Sequence, residues 1–286
     1  MKREGLCFLH FASDPFFNMA FDEWLLFQAV QSPHTIYARL YTWQKPAITF
    51  GCNQNADTAF LGEEVGDTPV IRRITGGRAL LHDPSELTYS ISANASEGAG
   101  FSGNIGQTSQ KIATIIRCFL SHYRVQSEYS AESAENEQER KRDFFHKAAC
   151  FSSVSRNELT TSMGKIVGSA QRRIGAAFLQ HGAIKWRGVA VHPALHLRPA
   201  SGKYVETSNG ESLKTVGEKE FGEASQVFLQ TLQEETGVEF AGGEITESMA
   251  AVIKDRSLEI SSEPLKKRDC IKQTAVVGSL SDTRNG

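Results

Sequence analysis

The sequence predicts an α/β protein of the α+β type, in which a mixed, largely antiparallel sheet is flanked by helices. Apolar residues recur at helical spacing in residues 17–25 and 112–120, and they alternate with polar residues in 36–41 and 87–92. Short strand patterns follow one another closely between residues 158 and 182, and antiparallel pairing of neighbours joins them most simply. The chain has 286 residues, 40% of them hydrophobic. It can therefore bury a large core, and we expect one main domain.

The amino-terminal half carries one helix and three strands in this prediction. Residues 13–15 read Ser-Asp-Pro, which starts a helix because aspartate caps the first free amides and proline fits the first turn. Two strands joined by a turn follow at residues 36–41 and 47–51. A third strand covers residues 87–92.

The middle of the chain continues with a helix, a short strand candidate at residues 123–129 and a run of strands. The run comprises residues 158–161 and 165–168, joined by a turn at Met163-Gly164, and then residues 177–182. Residues 131–142 are almost all charged, small or polar, which predicts a mobile surface loop or an exposed helix turn.

Two helices are predicted near the carboxyl terminus. Thr215 to Glu218 has the spacing of a capping box, and the helix that it opens ends at Gly237. A second helix covers roughly residues 244–254. We expect a main domain over residues 1–212, a helical carboxy-terminal extension over 213–260 and a disordered tail over 261–286.

Charge and cysteine content exclude several classes of function. The formal net charge is −2 and the sequence pI is near 6.5, so there is no electrostatic case for binding nucleic acid or an anionic membrane. The five cysteines are widely spaced and form no Cys-x-x-Cys pair, which argues against a disulfide framework and a zinc site. No stretch of about 18 apolar residues occurs. We expect a cytoplasmic protein with no bound metal.

A glycine turn flanked by arginines is the first candidate for a ligand site. Residues 72–83 read Arg-Arg-Ile-Thr-Gly-Gly-Arg-Ala-Leu-Leu-His-Asp. The adjacent Gly76 and Gly77 leave the backbone free to adopt positive φ and to bring amide hydrogens close to a ligand oxygen. Arg73 and Arg78 add positive charge. The alternative is an ordinary hairpin turn with its arginines in solvent.

Cys150 is the candidate nucleophile. It lies in the apolar segment Ala-Ala-Cys-Phe, fifteen residues before Lys165, and a cationic neighbour that lowers the pKa of a thiol raises the fraction of attacking thiolate. The alternative for Cys150 is a small buried apolar residue. For Lys165 it is a solvent-exposed lysine at a strand edge.

These segments resemble the lipoate/biotin protein ligase superfamily. Residues 72–83 match its Arg-Arg-x-Thr/Ser-Gly-Gly-x-Ala-Val-x-His-Asp signature, and residues 14–23 are similar to its first helix. Residues 164–171, followed by His181-Gly182, look like its acyl-pocket segment. The likeness spans about residues 8–190, and it implies the catalytic-domain fold of that superfamily for residues 1–212.

Within the superfamily, the octanoyltransferase branch called LipM is the most similar. The likeness to this branch rests on Arg78 beside the two glycines, on Glu-Leu-Thr-Tyr-Ser at residues 86–90 and on Ala-Cys-Phe at residues 149–151. The ligase branch usually carries a third glycine where Arg78 stands. This resemblance implies catalytic roles for Cys150 and Lys165. It also implies that the acyl group is bound by nine further residues, namely Arg73, Gly76, Gly77, Arg78, His82, Gly168, Ser169, Ala170 and His181.

The implied activity is an octanoyl transfer without ATP, Mg²⁺ or any other cofactor. Octanoyl acyl carrier protein would donate the acyl group to the cysteine, in a ping-pong reaction with an acyl-cysteine intermediate. The acceptor would be a lysine of a lipoyl-domain protein, such as a glycine cleavage H protein or a dehydrogenase E2 subunit, in protein lipoylation. The role of Lys165 stays open between lowering the thiol pKa, stabilising an oxyanion and accepting a proton.

Three alternatives remain at the level of sequence. The first is an ATP-dependent lipoate-protein ligase, which would require ATP and Mg²⁺. The second is an amidotransferase that moves the acyl group between lipoyl proteins. The third is a non-catalytic binder of acyl proteins.

Overall fold

The computed structural model describes residues 3–54, 67–96, 101–129, 159–161, 164–186 and 215–262. Within those ranges the chain forms an eight-stranded sheet, a three-stranded sheet and four helices. The predicted α+β class is therefore confirmed. The strands are β1 (Glu4–Ser13), β2 (Thr35–Trp43), β3 (Ala47–Phe50), β4 (Val70–Arg72), β5 (Leu80–His82), β6 (Leu87–Asn94), β7 (Glu128–Tyr129), β8 (Leu159–Thr161), β9 (Gly164–Ile174), β10 (Ala177–Ile184) and β11 (Phe240–Gly242). The helices are α1 (Pro15–Gln31), α2 (Ile105–His122), α3 (Glu218–Thr236) and α4 (Glu247–Ser262).

The large sheet has the strand order β11-β1-β2-β6-β10-β9-β8-β7. Strand β1 pairs in parallel with both β2 and β11, and every other neighbouring pair is antiparallel. The sheet is thus mixed and largely antiparallel, as predicted. The small sheet has the order β4-β3-β5. The two strands predicted on either side of the first turn, β2 and β3, therefore belong to different sheets.

Helices cover both faces of the large sheet. Helices α2 and α3 pack on one face around Phe119, Phe228 and Ile91, and α1 and α4 pack on the other around Phe21 and Ile253. Alternation along the strands divides the side chains between these two cores. None of the helices in the described ranges is both long enough and apolar enough to cross a membrane.

Helix α1 begins as the sequence predicts. The Asp14 carboxylate accepts hydrogen bonds from the amides of Phe16 (2.9 Å) and Phe17 (3.2 Å), and Pro15 occupies the first turn. Two of the amides that the first turn leaves without a helical partner are therefore satisfied. Helix α3 ends at Gly237, whose φ of 67° is left-handed, and this prediction is also confirmed.

The predicted start of α3 is wrong. The N-cap is Gly217, whose amide donates to Glu220 Oε2 at 3.4 Å, so the box does not open at Thr215. Val216 is buried and its amide donates to the carbonyl of Pro84 at 2.9 Å. This tertiary contact keeps the chain non-helical up to Gly217.

Several other boundaries differ from the prediction, and β9 for example continues to Ile174 instead of ending at residue 168. Helix α4 runs from Glu247 to Ser262, later and longer than predicted, because the buried Ile260 anchors its last turn. It therefore overlaps the start of the predicted tail at residue 261. Strand β7 is limited to Glu128–Tyr129, because α2 continues to His122 and Arg124 has a φ of 59°.

Several sequence predictions lie outside the described residues, including Cys150 and the turn residue Met163. The charged segment 131–142 and the chain after residue 262 are not among the described ranges. The division at residue 212 stays a prediction. Strand β11, which follows it, pairs with β1 of the large sheet.

A fully buried arginine ties α1 to the first two strands. Arg39 donates from Nε to His10 Nδ1 (2.8 Å), from Nη2 to Asn18 Oδ1 (2.6 Å) and from Nη1 to Asp22 Oδ1 (3.2 Å). Its guanidinium also lies 3.9 Å from the ring centre of Tyr41. Because Arg39 can only donate, Nδ1 of His10 must accept, and this arrangement requires a neutral imidazole.

The His10 contact makes acid stability testable. Burial, reinforced by the charge of Arg39, lowers the pKa of His10 to about 3 from 6.5. Between these values the unfolded chain binds a proton that the folded chain does not, so acidification costs up to about 1.4 kcal/mol of stability per pH unit. In His10→Gln, the amide oxygen can accept from Arg39. Urea unfolding between pH 7 and 4 is expected to show a shallower loss of stability than in the wild type, and an equally steep loss would contradict the assignment.

Candidate functional site

A pocket lies between the large and the small sheet. It brings together side chains from α1, both sheets and the segment after β4. Its described lining consists of Met19, Tyr41, Thr49, Arg73, Leu80, His82, Thr88, Gly168, Ser169, Ala170, His181, Gly182 and Ala183.

The sheet side of the pocket is formed by rows of small residues. Tyr41, Thr88, Ala183 and Gly168 are direct neighbours across β2, β6, β10 and β9. Ala170 lies two residues along β9 from Gly168 and therefore faces the same side. Glycine and alanine at these positions leave room for a ligand to lie close to the sheet backbone.

The glycine turn borders the pocket and is held by Arg73. The Arg73 guanidinium donates from Nη2 to the carbonyls of Gly76 (2.7 Å) and Arg78 (2.8 Å). It also donates from Nε to Thr75 Oγ1 at 3.2 Å and from Nη1 to the carbonyl of Thr49 at 3.1 Å. The sequence predicted that Arg73 binds the acyl group. In the structure it lines the pocket, and these hydrogen bonds clamp the turn.

Close packing within the turn requires glycine at two positions. Gly77 has a φ of 90°, and a Cβ there would lie 2.8 Å from Arg73 Nη2. A Cβ on Gly51 would lie 2.1 Å from the carbonyl oxygen of Gly77. Gly76 differs, because a Cβ there would meet no other atom within 4 Å.

His181 is held from both sides by hydrogen bonds. Its Nδ1 lies 2.8 Å from Asp22 Oδ2, and its Nε2 lies 2.7 Å from Thr75 Oγ1. Asp22 is fully buried and also accepts from Ser90 Oγ (2.5 Å) and Tyr41 Oη (2.9 Å). The carboxylate therefore connects α1 to three strands of the large sheet.

The balance of forces on Asp22 favours the charged carboxylate. Burial acts to raise its pKa, but the hydrogen bond and charge of His181, together with the charge of Arg39, outweigh burial and lower the pKa below 3.8. An ionised carboxylate has only acceptor positions. The Nδ1 atom of His181 must therefore carry the hydrogen that Asp22 accepts.

A second buried carboxylate lies at the other side of the pocket. Glu86 accepts from Lys185 Nζ at 3.0 Å through Oε2, and its Oε1 lies 2.5 Å from His82 Nδ1. Burial raises the pKa of Glu86, but Lys185 and His82 outweigh it and hold the pKa below 4.5. His82 Nε2 in turn lies 2.8 Å from Thr49 Oγ1. His82 was predicted to bind the acyl group. It lines the pocket, with both ring nitrogens held by protein atoms.

Ser169 belongs to a third polar group, on the opposite face of the sheet. Its Oγ lies 2.8 Å from the hydroxyl of Tyr89, to which Gln180 Nε2 donates at 3.3 Å. Gly182 is the direct neighbour of Ser169 in β10, and a Cβ there would lie 2.8 Å from Ser169 Oγ. The serine is thus fixed by the sheet rather than free to rotate into the pocket.

The structure brings most of the predicted site residues together. Six of them line the pocket: Arg73, His82, Gly168, Ser169, Ala170 and His181. Gly76, Gly77 and Arg78 form the adjoining turn. Lys165 is 7% exposed and lies at the start of β9 opposite Thr160, and it is absent from the described lining. Cys150 lies outside the described residues.

Sequence reasoning missed the residues that hold the site in place. Asp22 and Glu86 were only parts of family-like segments, and Thr75, Tyr89 and Lys185 carried no role. One signal was available: Asp22 falls among apolar residues of a helix that is buried around most of its circumference. A carboxylate in such a position must have partners.

The fold and the pocket together define a compact α+β ligand-binding domain, built like the catalytic domain of an enzyme. The model of the family described as lipoyl protein ligase A/B catalytic domain matches residues 14–215. The chain belongs to this family.

Two curated relatives illustrate the similarity. An octanoyltransferase LipM of Carboxydothermus hydrogenoformans is 37% identical over 169 residues, which are 58% of this chain and 59% of that protein. One of Moorella thermoacetica is 34% identical over 174 residues, 60% of this chain and 61% of that protein. The matched part thus spans about three fifths of each relative.

Solved structures with the same fold include lipoate-protein ligases. A lipoate-protein ligase A bound with ATP has a TM-score of 0.64 and 17% identity, over 93% of this chain and 98% of that one. A bipartite lipoate protein ligase from Thermoplasma acidophilum, solved with its E2 lipoyl domain, has a TM-score of 0.61 and 16% identity, over 91% and 94% of the two chains. The predicted ligase-type fold is confirmed.

The two adjacent glycines give a paired test of the turn. Gly77→Ala is expected to lower the free energy of unfolding by about 1–2 kcal/mol, because an alanine at positive φ is strained and its Cβ displaces the Arg73 clamp. Gly76→Ala is expected to unfold at the same urea concentration as the wild type. Equal destabilisation by the two substitutions would show that the geometry of Gly77 does not matter.

Proposed function

We propose that this protein is an octanoyltransferase of protein lipoylation. It moves an octanoyl group from acyl carrier protein to Cys150 and then to a lysine of a lipoyl-domain protein. The observation that carries the proposal is that Arg73, which holds the glycine turn, and the segment Gly168-Ser169-Ala170 line the same pocket. The similarity to octanoyltransferases supports the same reaction.

The residues that line and border the pocket suit an acyl thioester chemically. Met19, Leu80 and Ala183 offer apolar contacts to an alkyl chain. The trans peptide group places each N–H opposite its carbonyl. Because Arg73 holds the carbonyls of Gly76 and Arg78, the amides of Gly77 and Ala79 point away from Arg73. Such fixed donors can stabilise an oxyanion when they face the reacting carbonyl.

The first half-reaction exchanges one thioester for another. The Cys150 thiolate attacks the carbonyl carbon of the octanoyl thioester, the bond to the carrier sulfur breaks, and the carrier thiolate leaves with the electron pair and takes up a proton. The energy of the two thioesters is similar, so the step needs no ATP.

The second half-reaction makes the product stable. The amine of the acceptor lysine attacks the octanoyl-cysteine, the carbon–sulfur bond breaks, and the amine proton passes to the departing thiolate. An amide and a free cysteine result. We assign lipoyl domains, such as those of glycine cleavage H proteins and E2 subunits, as acceptors, and we place the reaction in the cytoplasm without a cofactor.

Two other cysteines are poor candidates for the nucleophile. Burial raises the pKa of Cys7 to about 12. Burial, followed by the hydrogen bond that Cys118 donates to Glu235, raises the pKa of Cys118. A raised pKa leaves little thiolate at neutral pH. Cys150 carries the proposed nucleophilic role instead, with Lys165 as its cationic neighbour.

The decisive experiment records the intact mass of the purified protein after incubation with octanoyl acyl carrier protein and no ATP. The wild type is expected to gain one octanoyl group that neutral hydroxylamine removes, because thioesters are labile to that reagent. Cys150→Ala is expected to gain none. A second incubation with an H protein tests the transfer to lysine.

Cys118→Ala is the matched control, since it removes a partly exposed cysteine outside the pocket and is expected to acylate like the wild type. An adduct that persists in Cys150→Ala would exclude the cysteine mechanism. Transfer that requires ATP and Mg²⁺ would indicate a ligase, and transfer only from an octanoylated protein would indicate an amidotransferase.

The assignment of Lys165 has its own test. If its positive charge favours the thiolate, Lys165→Met is expected to shift the pH profile of Cys150 alkylation by iodoacetamide to higher pH, and Lys165→Arg is expected to keep most of the wild-type profile. Peptide mapping after alkylation identifies the modified cysteine. Coincident profiles for all three proteins would remove Lys165 from this role.

A further inference from the structure

We propose that Asp22, His181 and Thr75 form a positioning chain that holds the glycine turn against the pocket. The atoms form a line of hydrogen bonds from Asp22 Oδ2 through the His181 ring to Thr75 Oγ1, at 2.8 and 2.7 Å. All three residues are buried, with exposed fractions of 0%, 6% and 0% for Asp22, His181 and Thr75. The inference rests on the proposed function for its kinetic part.

The donor and acceptor properties of the side chains fix the direction of the hydrogen bond between Asp22 and His181. Ionised Asp22 can only accept, so His181 donates from Nδ1. The hydroxyl of Thr75, which can both donate and accept, completes the hydrogen bond at Nε2. The oxygen of Thr75 remains available to accept from Arg73 Nε at 3.2 Å. The side chain of Thr75 therefore links the histidine to the arginine.

The Thr75 end of the positioning chain is the part that shapes the site. Arg73, which donates to Thr75, also binds the carbonyls of Gly76 and Arg78. The backbone of Thr75 is fixed separately, because the amide of Cys52 donates to its carbonyl at 2.9 Å. The backbone and the side chain of Thr75 are therefore both held, and Thr75 in turn fixes the orientation of the Arg73 guanidinium. Asp22 and Thr75 therefore act on the reaction through the orientation of the turn and do not touch the reacting atoms.

The position of His181 explains why a histidine serves this purpose. It lies in β10 between Ser90 of β6 and Ala170 of β9. From there its ring spans the distance between a helix on one side and the turn on the other, with an atom able to bond at each end. Removal of the Thr75 hydroxyl is therefore expected to leave the sheet pairing intact and to loosen the turn.

The test compares two substitutions that differ by one hydroxyl group. Thr75→Val keeps the shape of the side chain and removes its hydrogen bonds, whereas Thr75→Ser keeps the hydroxyl. In single-turnover transfer from octanoyl acyl carrier protein, Thr75→Val is expected to lower the rate constant about 10-fold or more with little change in the donor concentration for half-maximal rate. Thr75→Ser is expected to recover at least half of the wild-type rate. A lower rate constant at an unchanged half-maximal concentration indicates that the hydrogen-bond donors of the turn are misoriented, and it does not fit weaker binding of the substrate.

Ser92→Ala is the matched control for the loss of a buried hydroxyl. Ser92 Oγ donates to the carbonyl of Phe178 at 2.7 Å, away from Asp22, His181 and Thr75. The rate of Ser92→Ala is expected to remain within about 2-fold of the wild type. Equal losses in Ser92→Ala and Thr75→Val would show that Thr75 contributes only to general stability, and they would overturn the proposal.

Two measurements do not depend on the proposed reaction. Amide hydrogen exchange at residues 76–79 is expected to be faster in Thr75→Val than in Thr75→Ser. Nitrogen NMR of the wild type is expected to find hydrogen on Nδ1 of His181, which donates to Asp22. Hydrogen on Nε2 alone would contradict the chain even if Thr75→Val does not fold. If the wild type transfers no octanoyl group, the proposed function fails. Amide hydrogen exchange and nitrogen NMR then still decide whether the positioning chain exists.

Discussion

The buried Asp22 carboxylate is the constraint on which the rest of the site depends. A charge removed from water is costly unless hydrogen bonds and opposite charge replace the lost solvation. Asp22 meets that requirement only if one helix and three strands are all in their native register. The four side chains that surround it are those of Arg39, Tyr41, Ser90 and His181. A one-residue shift of any of these strands would turn its partner to the opposite face. The carboxylate thus specifies the sheet geometry on which the pocket is built.

The buried carboxylate of Glu86, on the other side of the pocket, is stabilised in the same way as that of Asp22. It is paired with Lys185 and His82, as Asp22 is paired with Arg39 and His181. Each carboxylate is therefore accompanied by one strong cation and one histidine. Small and apolar residues occupy the space between the two clusters. The polar side chains on both sides cannot rearrange without leaving a charge unpaired, so they limit where the alkyl chain of the proposed substrate can lie.

Local pattern predicted the four described helices and strands β2, β3 and β6 to β10, because periodicity and caps such as Asp14 depend on near neighbours. It did not predict β1, β4, β5 or β11, and the last three have only three residues each, too few for an alternating pattern. It placed the start of α3 wrongly, since the contact between Val216 and Pro84 joins residues far apart in the sequence. The same limit applied to the site. The glycine turn is visible as a local motif, but the partners of Asp22 come from three distant strands. Only the assembled sheet shows that this aspartate belongs to the site.

The sequence predicted the location of Arg73 correctly, but the structure shows a role for it that the sequence did not predict. Its motif suggested a cation that binds the acyl group, and it does line the pocket. Yet each of its three nitrogens donates to a protein oxygen. Arginine suits this task because its fork of donors is planar and always charged. Its directional bonds therefore shape the turn, and its charge acts on the pocket through space. The thioester proposed as the substrate has a neutral carbonyl, so the proposal depends on the orientation of the turn amides and not on an ion pair with Arg73.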